Sequence, residues 1–374
     1  MIARMVLPEV EELKKYTFDL GPIRPPSEGG SASLLIRATV NCPWNFCTFC
    51  ASYKGKRFVY RSVDEVKRDI DSAKAIADLL TTLSNKLGGM DWVARIIDPL
   101  FLYGKSFEEL SADEMRNYEN IALVYRWLEA GARTVFLQDA NTPIMRTNEL
   151  VEILQHIKRC FPTVVRITSY ARAKTLAHKP LDDLIKIRQA GLTRLHVGLE
   201  SGDDEVLAYI KKGVTSEEQI EAGYRSKKAG FELSEYWMPG VGGRRFWLQH
   251  AKNTARVLNL INPDYIRSRP FTPRIGTPLY EVYLRGEFEL TTPHERLQEL
   301  KLMISELNVT SRVCFDHFMN SWRRADGSFL FKQDYEGYKF PEEKALVLEL
   351  IEEGLRLDES IHISAETLAK MPYI

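Results

Sequence analysis

Short, almost continuously apolar segments recur along the chain, and longer segments with a helical period separate them. Strands of a parallel sheet have such apolar runs, because helices cover both of their faces. The pattern predicts six strands, at residues 34–40, 134–138, 164–168, 195–198, 232–237 and 265–269.

Three of the intervening segments carry the apolar stripe of an amphipathic helix: 62–83, 148–160 and 216–229. The third begins with Ser-Glu-Glu-Gln, which predicts a capping box from Ser216 to Gln219, and it stops at Gly230. An Ala-Gly pair precedes a predicted strand three times, at 130–131, 190–191 and 229–230. Helix, glycine stop and strand therefore repeat as a unit, which is typical of a parallel β/α architecture.

These units predict an α/β fold, a partial (β/α)6 barrel of parallel strands, since a closed eight-stranded barrel needs more units. We expect the barrel at residues 31–285, after an irregular lead-in at 1–30 that is rich in glycine and proline. Residues from about 79 to 125 are too many for a simple connection and predict a helical insertion after the first strand, either a lid or a packed surface insertion. Residues 286–374 are expected to form a helical extension that caps the barrel.

Composition is that of a globular protein in a reducing compartment. The 374 residues include 51 basic and 51 acidic side chains, so no bulk charge attracts the chain to nucleic acid or to an anionic membrane. No apolar run has the length of a membrane span, and the first residues lack the apolar core of a signal peptide. We therefore expect a cytoplasmic protein without disulfides.

Three of the five cysteines, Cys42, Cys47 and Cys50, fall within nine residues directly after the first predicted strand. The loops that follow parallel strands build active sites, so these thiols lie where chemistry is expected. A structural zinc takes four protein ligands, and the first histidine of the chain is only His156. Three thiolates on an iron–sulfur cluster leave one iron open for another ligand. A cluster is the favoured interpretation, with zinc or unliganded core thiols as alternatives.

The cysteine loop resembles that of the radical S-adenosylmethionine (SAM) superfamily, whose usual pattern has three and then two residues between its cysteines and an aromatic before the last. Here Phe49 holds the aromatic position, while the first gap has four residues. The longer gap places the chain near the oxygen-independent coproporphyrinogen oxidase and methylthiotransferase group. Three later segments, 196–215, 231–243 and 273–280, are similar to the fourth strand, the fifth strand and the segment after the sixth strand of that group.

The resemblance implies a [4Fe–4S] cluster on the three cysteines and SAM as cofactors. The open iron would chelate the methionine part of SAM, and the reduced cluster would cleave its sulfonium to a 5′-deoxyadenosyl radical that takes hydrogen from a substrate. We expect contacts to the cofactor from ten side chains: Phe49, Asp139, Asn141, Ser169, Arg172, Glu200, Ser201, Met238, Pro239 and Arg269.

These residues lie after a predicted strand, except Arg269, which lies in the last predicted strand. Many members have Gly-Gly-Glu after the second strand; this motif is absent, and Asp139 or Asn141 would accept from the methionine ammonium instead. Arg172, assisted by Ser169, can fork onto the carboxylate. Glu200 would hold ribose hydroxyls or the amino group. The alternatives are a strand-end turn pair for the first two, a surface arginine, and capping of the next helix by Ser201.

Three further groups are candidates for contacts with the cofactor or the substrate. Met238 and Pro239 would offer an apolar surface to adenine, or belong to the core. Arg267 and Arg269 alternate along the last predicted strand and so face one side, either the barrel interior or solvent. Asp316 and His317 form a candidate proton-transfer pair, with a structural hydrogen bond as the alternative. Cys160 and Cys314 have no assigned role.

We therefore expect a radical SAM enzyme with an unidentified small-molecule or peptide substrate and a low-potential electron donor of the flavodoxin or ferredoxin type. The alternative is a non-catalytic chaperone for iron–sulfur clusters or haem on the same fold. Neutral charge and the missing fourth metal ligand disfavour a nucleic-acid-binding module. Neither a membrane nor nucleic acid is an expected partner.

Overall fold

The structure, a computed structural model, describes residues 7–22 and 33–371. Its described part contains an eight-stranded sheet in the order β1-β4-β5-β6-β7-β8-β9-β10, in which only β10 runs antiparallel to its neighbour. A separate antiparallel pair, β2 and β3, branches from the end of β1. The strands are β1 Leu34–Arg37, β2 Thr39–Val40, β3 Val59–Tyr60, β4 Thr134–Gln138, β5 Arg166–Ala171, β6 Leu192–Glu200, β7 Glu232–Trp237, β8 Tyr265–Ser268, β9 Arg312–Cys314 and β10 Tyr338–Lys339.

Helices cover the outer face of this sheet. They are α1 Pro8–Leu13, α2 Val63–Leu87, α3 Met90–Ile96, α4 Pro99–Leu102, α5 Ala112–Glu129, α6 Thr147–Cys160, α7 Ala173–His178, α8 Leu181–Ala190, α9 Asp204–Tyr209, α10 Ser216–Lys228, α11 Gly243–Ile261, α12 Pro278–Leu284, α13 Pro293–Glu306, α14 Lys344–Arg356 and α15 Ala365–Ala369. Three 3-10 turns complete the described elements, at Phe107–Glu109, Thr142–Ile144 and Glu359–Ile361.

The sheet is open, since β1 and β10 are its two ends, and this confirms the predicted partial barrel of parallel strands in an α/β fold. The predicted strands at 134–138 and 232–237 have the observed bounds. All three Ala-Gly stops are confirmed: Gly131, Gly191 and Gly230 have positive φ directly after α5, α8 and α10. Glycine is favoured there because it adopts this conformation at little steric cost.

Two local predictions were wrong in detail. The capping box of α10 runs from Thr215 to Glu218, one residue before the predicted pair, because the Thr215 hydroxyl accepts from the Glu218 amide and the Glu218 carboxylate accepts from the Thr215 amide. The predicted first strand, 34–40, is interrupted after Arg37, where the chain leaves the main sheet for β2.

The C-terminal segment, predicted as a helical extension, also supplies β9 and β10 to the sheet. β9 pairs parallel to β8, so that the sheet has one more parallel strand than the six predicted. A strand of three residues leaves too short an apolar run to be read from sequence, and it depends on the exposed edge of β8 for its partners.

The predicted insertion at 79–125 is helical: it comprises the end of α2, then α3 and α4, and most of α5. Helix α5 packs against α2 and β1, and its Asn117 and Asn120 bond to backbone atoms around α1. This packing favours a packed insertion over a lid. Helix α1 itself lies inside the predicted irregular lead-in, whereas the proline- and glycine-rich part at 23–30 lies outside the described residues. Among the described helices, none has the length and apolarity to cross a membrane.

Candidate functional site

The three clustered cysteines lie in the loop that follows β1 and β2. Asn41 and Asn45 have left-handed backbones, with φ of 64° and 51°. Asparagine tolerates this region better than most residues, so both positions turn the chain sharply. The side-chain amide of Asn45 donates to the carbonyl oxygens of Tyr53 and, at 3.1 Å, Lys56. These bonds close the loop on itself around the cysteines.

Distant segments hold this loop over the carboxyl ends of the strands. The Thr48 amide donates to the Ile210 carbonyl oxygen at 2.9 Å, and the Thr48 carbonyl oxygen accepts from the Leu279 amide at 2.9 Å. The indole Nε1 of Trp44 donates to the Lys211 carbonyl oxygen at 2.8 Å. The cysteine loop is therefore built by long-range contacts that its own sequence does not contain.

The three thiols are half-buried and form no disulfide. Burial raises the pKa of Cys47, while the nearby Lys212 ammonium opposes this shift. Cys42 and Cys50 lie close enough to Cys47 for their charges to affect it as well. Burial disfavours a free thiolate here, so a bound metal is the natural means to stabilise three ionised sulfurs together.

The spacing of these sulfurs tests which metal they fit. In the described part of the chain, Cys42, Cys47 and Cys50 do not form a group whose sulfur atoms all lie within 4.8 Å of one another. A tetrahedral zinc with Zn–S bonds of about 2.3 Å would hold its sulfurs about 3.8 Å apart. The donor set itself favours a cluster: three thiolates leave one iron of a four-iron cluster without a protein ligand, whereas a structural zinc takes four protein ligands.

Asp139, predicted to contact the methionine ammonium, is engaged within the chain. Its Oδ2 accepts from the Arg37 guanidinium at 2.8 Å and from the Asn41 amide at 2.6 Å. The second oxygen, Oδ1, has no hydrogen-bond partner among the described residues. Asp139 therefore fixes the start of the cysteine loop and retains one free acceptor; its contact with a cofactor stays a prediction.

Asn141 and Arg172 are joined to each other. Asn141 Oδ1 accepts from the Arg172 amide at 3.0 Å, and its Nδ2 donates to Thr175 Oγ1 at 2.8 Å. The guanidinium of Arg172 stacks on the Trp44 ring, 5.0 Å from its centroid, and donates to the Lys212 carbonyl oxygen at 3.0 Å. Burial lowers the pKa of Arg172, and Cys42 and Cys47 oppose this shift. Arg172 thus lies beside the thiols, whereas Asn141 is a connector between β4 and α7.

Glu200 ends β6 with a left-handed backbone, φ 61°, at a bulge. Its Oε1 lies 2.8 Å from Lys212 Nζ in a largely buried ion pair. Burial alone would lower the pKa of Lys212, but Glu200 and Cys47 outweigh it and raise this pKa. A cation thus stays beside the thiols. Gly198 makes room for the pair, because a Cβ there would overlap the Glu200 carboxylate and lie 2.8 Å from Lys212 Nζ.

Three buried polar side chains on or after neighbouring strands differ in their hydrogen bonding and charge. Ser201 is fully buried, accepts from the Asp203 amide at 3.0 Å and bonds to His250 Nδ1 at 2.8 Å. These bonds engage Ser201 within the chain, but they do not cap α9: its N-cap is Asp203, whose carboxylate accepts from the Val206 amide. The helix-capping alternative for Ser201 was therefore wrong, and its contact with a cofactor stays a prediction. Ser169 on β5 is equally buried, but its hydroxyl has no partner among the described residues. Glu235 on β7 is also buried, and burial raises its pKa well above the ordinary value, which favours the protonated form.

A cavity of about 120 Å³ extends from the cysteine loop along the ends of β7 and β8. Its lining includes Phe49 and Met238, which pack in one apolar cluster. Pro239, the next residue, accepts from the Phe271 amide at 2.8 Å through its carbonyl oxygen. An apolar wall and polar strand ends therefore meet at this cavity, as is common in ligand sites.

Arg267 and Arg269 both reach Asp316, at 2.8 and 3.1 Å. Arg267 also donates to Ser234, and Arg269 lies over the Tyr236 ring, so both side chains face the barrel interior. Burial would raise the pKa of Asp316, but the two arginines lower it below its ordinary value. Asp316 is thus an ionised partner of two arginines, which does not fit a general acid.

His317 lies on the cavity wall beside Asp316. Its Nδ1 accepts from the Met319 amide at 3.2 Å. Burial and the Arg269 charge lower the pKa of His317 to about 3, so the ring is neutral near pH 7. The predicted proton-transfer role of Asp316 and His317 stays a prediction, and the observed bonds favour a structural role.

The sequence analysis did not identify Lys212 and Glu235 as site residues. Lys212 follows Glu200 by twelve positions and returns to it only because the short helix α9 intervenes. Glu235 lies in the middle of the predicted strand 232–237, and a carboxylate at such a position is a signal that could have been recognised, since this group is seldom buried without a reason.

Comparison with known proteins gives a family match. A family model described as the Radical SAM superfamily matches residues 104–245. The cysteine loop precedes this segment and is joined to it by β1, which pairs with β4 inside the match.

Curated relatives match part of the chain. The tRNA uridine(34) acetyltransferase of Methanocaldococcus infernus is 28% identical over 141 residues, which are 37% of this chain and 26% of the relative. Elongator complex protein 3 of Mus musculus is 24% identical over 173 residues, 45% of this chain and 30% of the relative. The chain spans about a quarter of the length of these relatives. Some of these relatives are named for tRNA, so our expectation that nucleic acid is not a partner is not supported.

Matches among solved structures have low identity and TM-scores below 0.5. The Elp3 of Methanocaldococcus infernus has a TM-score of 0.44 at 19% identity and covers 63% of this chain and 58% of that chain. The coproporphyrinogen III oxidase HemN of Escherichia coli has a TM-score of 0.43 at 15% identity, over 78% of this chain and 56% of that chain.

Proposed function

Because this chain belongs to the radical SAM superfamily, an enzyme family whose cofactors are a [4Fe–4S] cluster and SAM, we propose that Cys42, Cys47 and Cys50 hold the cluster and that the chain generates a substrate radical. The observation that carries the proposal is the placement of three half-buried thiols beside the buried Glu200–Lys212 pair, at the carboxyl ends of parallel strands. When bound, the reduced cluster supplies reductive cleavage of SAM to a 5′-deoxyadenosyl radical that removes hydrogen from a substrate.

The chain's own residues bind and orient the cofactor. Arg172 and Lys212 are cations close enough to the thiols to interact with them electrostatically, and either can pair with the methionine carboxylate. Glu200 is the neighbouring acceptor for an ammonium or for ribose hydroxyls. Phe49 and Met238 offer apolar surface to adenine in the cavity between the loop and β7.

The test measures SAM cleavage by anaerobically reconstituted protein with dithionite. Wild type is compared with the Cys42→Ala/Cys47→Ala/Cys50→Ala variant and with a matched Cys160→Ser/Cys314→Ser variant, which removes the two thiols outside the loop. We expect 5′-deoxyadenosine from wild type and from the matched variant, and none from the triple alanine variant. Cluster retention without cleavage would instead support the non-catalytic chaperone alternative.

A second candidate concerns the substrate: a single-stranded or looped RNA. Next to the cysteine loop, Lys56 and Arg57 are exposed, and Phe46 and Tyr60 are 63% and 54% exposed. Cations interleaved with exposed aromatics suit phosphate contacts and base stacking. The naming of relatives for tRNA is consistent with this candidate.

Binding of an unmodified tRNA pool over a salt series tests it. We expect the Lys56→Glu/Arg57→Glu variant to bind more weakly and with a shallower salt dependence than wild type. The control is Lys227→Glu/Lys228→Glu, the same change of charge on the outer helix α10. Equal loss in both variants, or no salt-dependent binding by wild type, would leave a small molecule or peptide as the substrate.

A further inference from the structure

A second group of metal-binding side chains lies on the outer surface, between helices α2 and α6. Asp71 projects from α2, while His156 and Cys160 are one turn apart on α6. His156 Nε2 lies 2.7 Å from Asp71 Oδ1 and 3.6 Å from Cys160 Sγ, and that sulfur lies 3.8 Å from the same carboxylate oxygen. All three atoms lie within 4.8 Å of one another, unlike the sulfurs of the cysteine loop.

These distances can be compared with those that a tetrahedral zinc requires. With Zn–S of about 2.3 Å and Zn–N and Zn–O of about 2.0–2.2 Å, the ligand atoms lie about 3.6 Å apart for S–N, 3.6 Å for S–O and 3.4 Å for N–O. The two observed distances from Cys160 Sγ, 3.6 and 3.8 Å, already match. Only the 2.7 Å hydrogen bond between His156 and Asp71 has to open.

The carboxylate contacts the same ring nitrogen of His156 that faces the thiol. A Cys-His-Asp catalytic group would need the acid on the other nitrogen, Nδ1, so that the histidine could deprotonate the thiol. The observed convergence on Nε2 is therefore the geometry of three ligands around one point and does not suit a nucleophile.

We infer that Asp71, His156 and Cys160 form a zinc site that joins α2 to α6, with a water in the fourth position. The donor set of nitrogen, oxygen and sulfur suits zinc. Because each ligand must be deprotonated, zinc binding releases the Cys160 thiol proton and leaves the imidazole proton on Nδ1. The ion would cross-link two helices that already pack against each other.

One neighbour opposes binding in the present arrangement. Arg159 donates to His156 Nδ1 at 3.3 Å, and this nitrogen must itself carry a proton once zinc occupies Nε2. Arg159 is exposed, so its guanidinium can turn into solvent. Lys74 also lies near Cys160, although Asp78 pairs with it. Removal of Arg159 should therefore strengthen zinc binding, an effect that a purely structural ion pair would not produce.

The experiment uses the full chain carrying Cys42→Ala/Cys47→Ala/Cys50→Ala, so that the cysteine loop cannot bind metal. Zinc retained after desalting is measured by elemental analysis, and cobalt substitution reports a thiolate bond by its charge-transfer absorption. We expect one zinc per chain, a thiolate–cobalt band, and a rise in the thermal midpoint on addition of zinc.

An added His156→Ala or Cys160→Ser should abolish both zinc retention and the cobalt band, and the matched Cys314→Ser should keep both. With Arg159→Ala, the chain should retain its zinc against a competing chelator better than the parent does. Failure of the zinc site leaves the cluster proposal untouched, because the background variant lacks the cluster. No retained metal, or metal retained equally after His156→Ala, would overturn the inference.

Discussion

Lys212 Nζ lies 2.8 Å from Glu200 Oε1, in a pair that approaches the Cys47 thiol although the two residues belong to different elements. The pair exists because β6 ends in a left-handed bulge at Glu200 and α9 then returns the chain to the same edge of the sheet. Its cation stabilises thiolates, and its carboxylate is an acceptor at the position where a bound cofactor would meet the loop. The pair therefore connects the fold to the proposed chemistry.

Gly198→Ala should displace this pair. The added methyl group would overlap the Glu200 carboxylate and approach Lys212 Nζ, while φ at this position is ordinary, so the backbone tolerates alanine. We expect SAM to bind about a hundredfold more weakly, as for other small displacements in preorganised sites. Equilibrium dialysis against the reconstituted protein measures this. The control, Val197→Ala, faces the buried core and should lower thermal stability while SAM affinity stays near that of wild type.

Gly213→Ala should reduce the iron content. Gly213 has φ +70°, and a Cβ there would overlap the Trp44 ring, which anchors the cysteine loop through its bond to Lys211. Gly55 has the same φ but open space around it, so Gly55→Ala reports the backbone strain alone. We expect much lower iron per chain after reconstitution of Gly213→Ala than of Gly55→Ala. Equal iron in the two variants would show that the Trp44 contact does not hold the loop.

Asp316→Asn should destabilise the barrel. The substitution leaves Arg267 and Arg269 buried with a weaker partner, and loss of one member of a buried ion pair costs about 3–5 kcal/mol. Chemical denaturation of the metal-free chain gives the free energy of unfolding. Asp326→Asn, in an exposed turn, should change it by less than about 0.5 kcal/mol. A small effect at Asp316 would mean that the two arginines find other partners.

Glu299 should make stability depend on pH. Burial raises the pKa of Glu299 to about 8 from an ordinary value of 4.5, despite the nearby Arg296 charge and the bond from the Gly240 amide. Between these values the unfolded chain loses the proton and the folded chain keeps it, so stability falls as pH rises from about 4.5 to about 8. Thermal midpoints between pH 6.5 and 8 should decline in the parent and stay nearly flat in Glu299→Gln. Glu306→Gln, at the exposed end of the same helix, should keep the decline.

Local sequence patterns predicted most strands and helices of the fold, but of the candidate site they marked only the cysteine loop. Strands such as Thr134–Gln138 were identified because buried parallel strands have nearly continuous apolar runs, and the cysteine spacing marked the loop. The strand at Arg312–Cys314 was missed because these three residues become a strand only by pairing with the edge of β8. Lys212 was missed for the same kind of reason: its importance comes from a contact across twelve residues that no local pattern contains.

The electron paramagnetic resonance spectrum of the anaerobically reconstituted, dithionite-reduced chain, recorded before and after addition of SAM, tests the central claim most directly. If the three cysteines hold the cluster, the reduced chain gives a cluster signal that changes when SAM is added, and the Cys42→Ala/Cys47→Ala/Cys50→Ala variant gives no signal. Zinc in place of iron at the cysteine loop, or a cluster signal that SAM leaves unchanged, would contradict it.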